Sequence, residues 1–306
     1  MPRFSIIIPT YRRVSMLKEA INSVQNQSYE DFECIVVNSF PNDNKTINSY
    51  ISGINDSRIK CISSDISLNG NQARNIGIKE SSAEYIAFLD DDDIWFPEKL
   101  KKHLIFHEKN KAIGLIFSNS IKKWGNNAFY DVIVPEFVPN LNNISDNLLA
   151  GIFCPPTTSA VSVKKECFKS VGCFDENLIS FQDWDMWLRI SRKYTFGHLN
   201  ECLNVFYQHL GDRTSQSTEK RLKGLADIVK KHQLEKTGLS KTFLMNTYRD
   251  TAFNLIISKK KTQSIKWIFK LLKTPIRSAQ FQAIKLLILL IFGLRVYVFT
   301  KNLLKS

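Results

Sequence analysis

Four aspartates, Asp90 to Asp93, stand in a row directly after the apolar run Tyr85–Leu89. Two carboxylates about 4 Å apart repel by roughly 4 kcal/mol at an effective dielectric near 20. Relief comes from pointing apart, binding protons or sharing a cation. Side chains of an extended backbone alternate sides, so Asp90 and Asp92 are expected on one face and Asp91 and Asp93 on the other. A D-x-D pair offering only oxygen ligands suits a hard divalent ion such as Mg²⁺ or Mn²⁺. The alternative is a solvated acidic turn that ends a strand. A calcium loop is disfavoured, because the spaced ligands, the Gly and the distant Glu it needs are missing.

A second candidate lies in F-Q-D-W-D-M-W-L-R-I, residues 181–190, where Trp184, Trp187 and Leu188 follow helical spacing. Asp183 precedes this helix and Asp185 sits in its first turn. Asp183 is either a catalytic carboxylate or only an N-cap. His209 follows the strand-like run Leu203–Tyr207 and is placed to reach the same rim.

The elements that must position these residues alternate in type. Strands are expected at Phe4–Ile8, Phe32–Val37, Arg58–Ile62, Tyr85–Leu89 and Ile113–Ser118. Val14, Leu17, Ile21 and Val24 mark a helix to about Asn26; further helices are expected over Ala73–Lys79 and from Pro97 to about Asn110. Such alternation implies an α/β fold with a mostly parallel sheet covered on both faces. Ligands of such sheets bind beyond the carboxyl ends of the strands. Pro9-Thr10-Tyr11, Asn38-Ser39 and the aspartates all follow strand ends and should meet on one rim. From about Asn119 to Pro156 the pattern weakens into loops or an antiparallel flap.

With 43% apolar and 23% charged residues, the 306-residue chain reads as globular. Its start, M-P-R-F-S, runs straight into a strand, so no leader peptide is expected. Six scattered cysteines without CxxC spacing read as reduced thiols of a cytoplasmic protein. The net charge of +13 is confined: residues 219–306 carry 19 Lys and Arg against four Asp and Glu. That tail reads as basic helices seeking an anionic partner. Its run Leu286–Leu294 spans only about 14 Å as a helix, too short to cross a bilayer. It is expected either to lie in a membrane interface or to pack on protein. Nucleic acid is not expected, because aromatics are not interleaved with the charges.

Together these segments resemble the family-2 glycosyltransferases of GT-A fold. The matching stretches, in order, are S-I-I-I-P-T-Y-R-R (5–13), S-V-Q-N-Q-S-Y-E-D-F-E-C-I-V-V (23–37), N-G-N-Q-A-R-N-I-G-I (69–78), E-Y-I-A-F-L-D-D-D-D-I-W-F-P-E-K-L (84–100), 181–190, and F-Y-Q-H (206–209). The resemblance implies a Rossmann-like catalytic domain over 1–215, with a nucleotide-binding half to 118 and an acceptor-binding half after it, followed by the helical extension 216–306. It implies inverting transfer of a sugar from a nucleotide-diphosphate sugar to a hydroxyl of a glycan or lipid-linked acceptor, with Mn²⁺ or Mg²⁺ as cofactor. Pro9, Thr10, Tyr11, Asn38, Ser39, Arg74, Asp90 and Asp91 would contact the nucleotide sugar. Asp92 and His209 would bind the metal, Asp183 would be the general base, and Asp185 and Trp184 would support the acceptor side. Asn38-Ser39 departs from the acidic pair common after the second strand, which leaves UDP as the expected nucleotide beside dTDP or GDP. The expected location is the cytoplasmic face of the membrane, held peripherally. Nucleotidyl transfer or a non-catalytic sugar-nucleotide scaffold are the competing readings; the first usually needs a Gly-rich loop that Pro9–Arg13 lacks.

Overall fold

The computed structural model describes residues 1–124, 130–133, 144–151, 154–208, 218–236, 238, 240–257, 259–274 and 277–292. The chain divides into two compact units, the first built from Met1–Ser145, Phe153–Leu178 and Gln182–Gly211, the second from Asp146–Ile152, Ile179–Phe181 and Asp212–Ser306.

The first unit opens as a doubly wound sheet. Strands β1 (Phe4–Thr10), β2 (Phe32–Asn38), β3 (Ile59–Ser63) and β4 (Tyr85–Phe88) lie parallel in the order β3-β2-β1-β4. Between them run α1 (Val14–Gln25), α2 (Asn44–Ile54) and α3 (Gly70–Glu80). These strands are apolar on both faces because helices cover both. Phe4, Ile6 and Ile8 bury with Leu17, Ile21 and Val24 of α1 on one side, and Ile35 and Val37 pack with Ala73 of α3 on the other. Gly77 makes the second contact close: a Cβ there would stand 2.4 Å from Ile7 Cγ2.

Beyond β4 the sheet turns antiparallel. After β5 (Asp93–Trp95) and α4 (Lys99–Lys109) come β6 (Ile113–Trp124), β7 (Tyr130–Ile133), α5 (Ile144–Ala150), β8 (Val161–Lys164), α6 (Lys165–Val171), α7 (Gln182–Ser191) and β9 (Thr195–Gln208). Among the described residues the strand order is β3-β2-β1-β4-β8-β6-β9-β5, with β7 paired antiparallel to β6 off this path. β8 is antiparallel to β4 and β6, whereas β6 and β9 are parallel.

The second unit holds α8 (Thr218–His232), α9 (Lys241–Ile257), α10 (Lys261–Leu272) and α11 (Arg277–Phe292). The apolar run of the tail has two faces. Ala279, Ala283, Leu286 and Leu289 are buried among these helices, while Phe281, Ile284 and Ile291 point to solvent, as do Ile265 and Phe269 of α10. No helix among the described residues is long and apolar enough to cross a membrane.

Candidate active site

Strand order reverses at β1, whose neighbours are β2 on one side and β4 on the other. A reversal of this kind opens a crevice at the carboxyl ends of the strands. Thr10, Asn38 and Ser63 are register partners at the ends of β1, β2 and β3, so the loops expected on one rim do meet there.

The four aspartates do not form the extended, alternating array expected. The Asp93 N–H donates to the Asp90 carbonyl at 3.0 Å, closing a turn, and each carboxylate finds a hydrogen-bond donor. Asp90 accepts from Arg74 Nη2 at 2.7 Å. Asp91 accepts from Thr10 Oγ1 at 2.8 Å, from the Tyr11 N–H at 3.3 Å and from Arg13 Nη1 at 3.0 Å. The same Arg13 nitrogen donates to Asp92 Oδ2 at 2.9 Å. Asp93 accepts from Ser159 Oγ at 2.6 Å and from the Tyr207 N–H at 3.3 Å. Ser159 Oγ in turn accepts the Asp90 N–H at 3.0 Å, which joins both ends of the turn.

Asp91 is 4% exposed. Burial, with Asp92 beside it, pushes its carboxyl up to about 6 against the pull of Arg13 and Thr10. Asp91 therefore anchors the turn to β1 and lies too deep to grip a ligand freely. Oxygens of Asp90, Asp92 and Asp93 lie within 4.8 Å of one another. Three convergent carboxylates and no soft ligand fit a hard divalent cation. Asp93, a residue sequence reasoning had not included, thus stands with Asp90 and Asp92 among the carboxylates that could hold such an ion. His209 lies outside the described residues.

Asp183 falls inside the first turn of α7 rather than ahead of it. Its carboxylate accepts its neighbour Trp184's N–H at 2.8 Å. Burial raises its pKa, opposed by that N–H and by the Arg74 guanidinium and reinforced by Asp90. Arg74 and Asp90 thus act on Asp183 as well as on each other, so the base candidate and the acid turn share one electrostatic environment. Trp184 is buried in the core. Asp185 does not face an acceptor: it is fully buried and pairs with Arg189 at 2.9 Å, one helical turn on. Arg189 also donates to the carbonyls of Val171 and Cys173, each at 2.8 Å. The support Asp185 gives is therefore to the turn after α6.

Asn38 is likewise committed to its own loop. Its amide donates to the Phe40 carbonyl at 2.9 Å and to Asn44 Oδ1 at 2.7 Å, and accepts the Phe40 N–H at 3.1 Å. Ser39 is buried, with its N–H on the Thr10 carbonyl. Pro9 is half-buried within β1 opposite Val37. Tyr11 stands exposed, edge-on to Phe40 at 5.2 Å between ring centroids, and Arg12 lies 4.8 Å from the same ring. These three offer the rim an aromatic and cationic surface.

The segment N-G-N-Q-A-R-N has a structural duty. Asn69 and Gln72 form a capping box that starts α3. Asn71 donates to the carbonyls of Asp175 and Leu178, and Asn75 to that of Phe174. These asparagines fix the loop that leads towards α7, and thereby hold Arg74 against Asp90. Arg13 and Ser159 are the residues missed by sequence reasoning. The signal for Arg13 was a basic pair, Arg12-Arg13, one strand away from an acid cluster.

A family model for Glycosyl transferase family 2 matches residues 5–164. An uncharacterized glycosyltransferase of Methanocaldococcus jannaschii is 33% identical over 66% of this chain and 69% of its own length. One of Rickettsia bellii is 32% identical over 74% of this chain, which spans only 32% of that longer protein. An Escherichia coli UDP-Glc:alpha-D-GlcNAc-diphosphoundecaprenol beta-1,3-glucosyltransferase is 28% identical over 64% of this chain and 72% of its own length. Among solved structures, S. aureus TarS 1-349 in complex with UDP-GlcNAc superposes with a TM-score of 0.66 at 18% identity, covering 96% of this chain and 88% of that one. A mannosyltransferase of Pyrobaculum calidifontis in complex with GDP-Man and Mn²⁺ gives 0.61 at 14% identity, covering 98% and 83%. The extent of the family match, over a reversing parallel sheet with an acid turn at its crevice, establishes that this chain belongs to glycosyl transferase family 2 and is a glycosyltransferase.

Proposed function

We propose that the enzyme inverts the anomeric carbon by direct displacement, with Asp183 as general base and a divalent metal at the acid turn. The observation that carries this reading is the convergence of Asp90, Asp92 and Asp93 within 4.8 Å at the strand reversal. Asp183 feels the same Asp90 and Arg74 charges. A sugar hydroxyl is a poor nucleophile, and a carboxylate at its proton assists attack. Burial raises the pKa of Asp183, which strengthens its carboxylate as a proton acceptor. One base on the acceptor side suffices for a single displacement, and no second carboxylate need form a covalent intermediate.

Asp92, with Asp90 and Asp93 beside it, would hold the ion. When bound, that ion supplies charge stabilisation for the departing nucleoside diphosphate. Thr10 and Tyr11 fix Asp91 and so the base of the turn. The exposed Tyr11–Arg12–Phe40 surface is suited to stack a nucleobase. UDP is our choice of nucleotide, supported by the donors named for the E. coli relative and for the TarS complex.

The acceptor is a hydroxyl on a glycan or lipid-linked saccharide, as in the E. coli relative. The basic second unit, with Phe281, Ile284 and Ile291 outward, serves as a peripheral contact with an anionic membrane. A panel of UDP-, dTDP- and GDP-sugars, each tested for thermal stabilisation with and without Mn²⁺, examines the donor reading. We expect a UDP-sugar to stabilise most, and more with Mn²⁺. A response indifferent to Mn²⁺ for every donor overturns the metal assignment. Retention of anomeric configuration in the product overturns the displacement mechanism.

A further inference from the structure

We infer that Arg13 is a resident counter-cation that occupies the acid turn until a nucleoside diphosphate draws it away, so that metal and nucleotide exchange a single guanidinium. This rests on the metal reading given above. One nitrogen, Arg13 Nη1, lies 3.0 Å from Asp91 Oδ1 and 2.9 Å from Asp92 Oδ2. Arg74 covers Asp90 at 2.7 Å. Two of the three carboxylates of the cation-sized cluster therefore already carry a guanidinium. A divalent ion approaching Asp92 meets a positive charge already seated at that carboxylate.

Arg13 is well placed to leave. It sits at the mouth, with its side chain 25% exposed, against 5% and 8% for Asp91 and Asp92. Its backbone is fixed at the start of α1, where its carbonyl accepts the Leu17 N–H. The preceding Arg12 holds a left-handed φ of 58°, which sharpens the bend between β1 and α1. Asp91 keeps Thr10 and the Tyr11 N–H as donors when Arg13 swings out. A planar guanidinium prefers a bidentate oxyanion, and a diphosphate offers one. Release of Arg13 to the diphosphate frees Asp92 for the metal. The two ligands are then coupled through this chain's own residue, and coupling is reciprocal.

A diphosphate is itself a metal ligand, so wild-type synergy is not diagnostic. The diagnostic measurement takes each ligand alone. Mn²⁺ binding is followed by loss of the free-ion paramagnetic resonance signal, and UDP binding by calorimetry without metal. For Arg13→Gln we expect Mn²⁺ alone to bind about tenfold tighter than wild type and UDP alone about tenfold weaker. Opposite signs support the inference, because a merely loosened site weakens both. Arg13→Lys keeps the charge without the fork and is expected to move each affinity in the direction that Arg13→Gln moves it, Mn²⁺ tighter and UDP weaker, by about threefold; it decides the matter if the Gln variant does not fold. Unchanged or weaker Mn²⁺ binding in the variants overturns the inference while leaving the metal site standing. Absence of Mn²⁺ binding in every protein, even with UDP present, removes the metal reading and this inference together.

Discussion

Arg189 and Asp185 form an ion pair of 2.9 Å, one turn apart on α7, in which the carboxylate has no exposed surface. A pair this enclosed contributes little net energy, yet breaking it from one side leaves a buried charge. Here the arginine also satisfies the carbonyls of Val171 and Cys173. We expect Asp185→Ala to lower unfolding free energy by about 3–5 kcal/mol, measured by urea denaturation. Asp185→Asn is expected to lose less, because its amide oxygen still accepts from Arg189. A loss within error of zero for Asp185→Ala contradicts the structural role.

Asp183→Asn should cut turnover by about 10²–10⁴-fold, the range for losing a general base. Its stability should move the other way. Burial raises the folded pKa of Asp183, so the folded state holds its proton longer than the unfolded chain. Stability is then lost as pH rises through the folded value. The Asn variant is accordingly expected to melt no lower than wild type at pH 8, with its relative advantage shrinking towards pH 4. In wild type, kcat/KM should fall on the acid side through a pKa above the usual carboxylate range. A variant that is both inactive and less stable at pH 8 argues against a charge held under tension.

Lys99 is fully buried, 3.3 Å from His103 Nε2 and 5.2 Å from the centre of the Trp95 ring. Burial pushes its ammonium from 10.5 down to about 7. Between those values the unfolded chain binds the extra proton, so stability rises with pH across that window. Below about 7 the full cost of burying the charge is present. Lys99→Met should therefore raise the melting temperature at pH 6, by an amount that shrinks steadily as pH approaches 10. Thermal scans at four pH values check this; a pH-independent difference contradicts it.

Deleting the end of the tail is a poor test of membrane contact, since Ala279, Ala283, Leu286 and Leu289 belong to the core of the helical unit. Replacing Phe281, Ile284 and Ile291 with Ser leaves that face intact. Each large apolar side chain is worth roughly 1.5–3 kcal/mol when withdrawn from water. The triple variant should lose most of its co-sedimentation with anionic liposomes while keeping its fold. Retained sedimentation sinks the interfacial reading.

Much of this was legible from periodicity. The first strands, α1, α3 and α4 announce themselves because their apolar spacing reports burial directly. The convergence of Thr10, Asn38 and the aspartates followed from the geometry of parallel sheets. The helix α2 went unread, although Ile47, Tyr50, Ile51 and Ile54 keep helical spacing, because its Asn and Ser content resembles a loop. The short β5 and β8 carry too few residues for any period to show. The alternation expected of the aspartates failed because one hydrogen bond, Asp93 to Asp90, turns the backbone. The roles of Arg13, Arg189 and Ser159 rest on contacts that no local pattern records, such as Arg13 with Asp92, 79 positions apart.

The hydrogen bond between Asp93 and the Tyr207 N–H joins positions 114 residues apart. At synthesis rates of about 5–20 residues per second, the acid turn is translated roughly 6–23 seconds before this donor. During that interval four negative charges wait on a newborn chain with their neutralising frame incomplete. The donor crevice therefore cannot be finished until the strand carrying Tyr207 has emerged and docked. Any fragment of this enzyme that stops short of it would display the aspartates without the scaffold that shapes them.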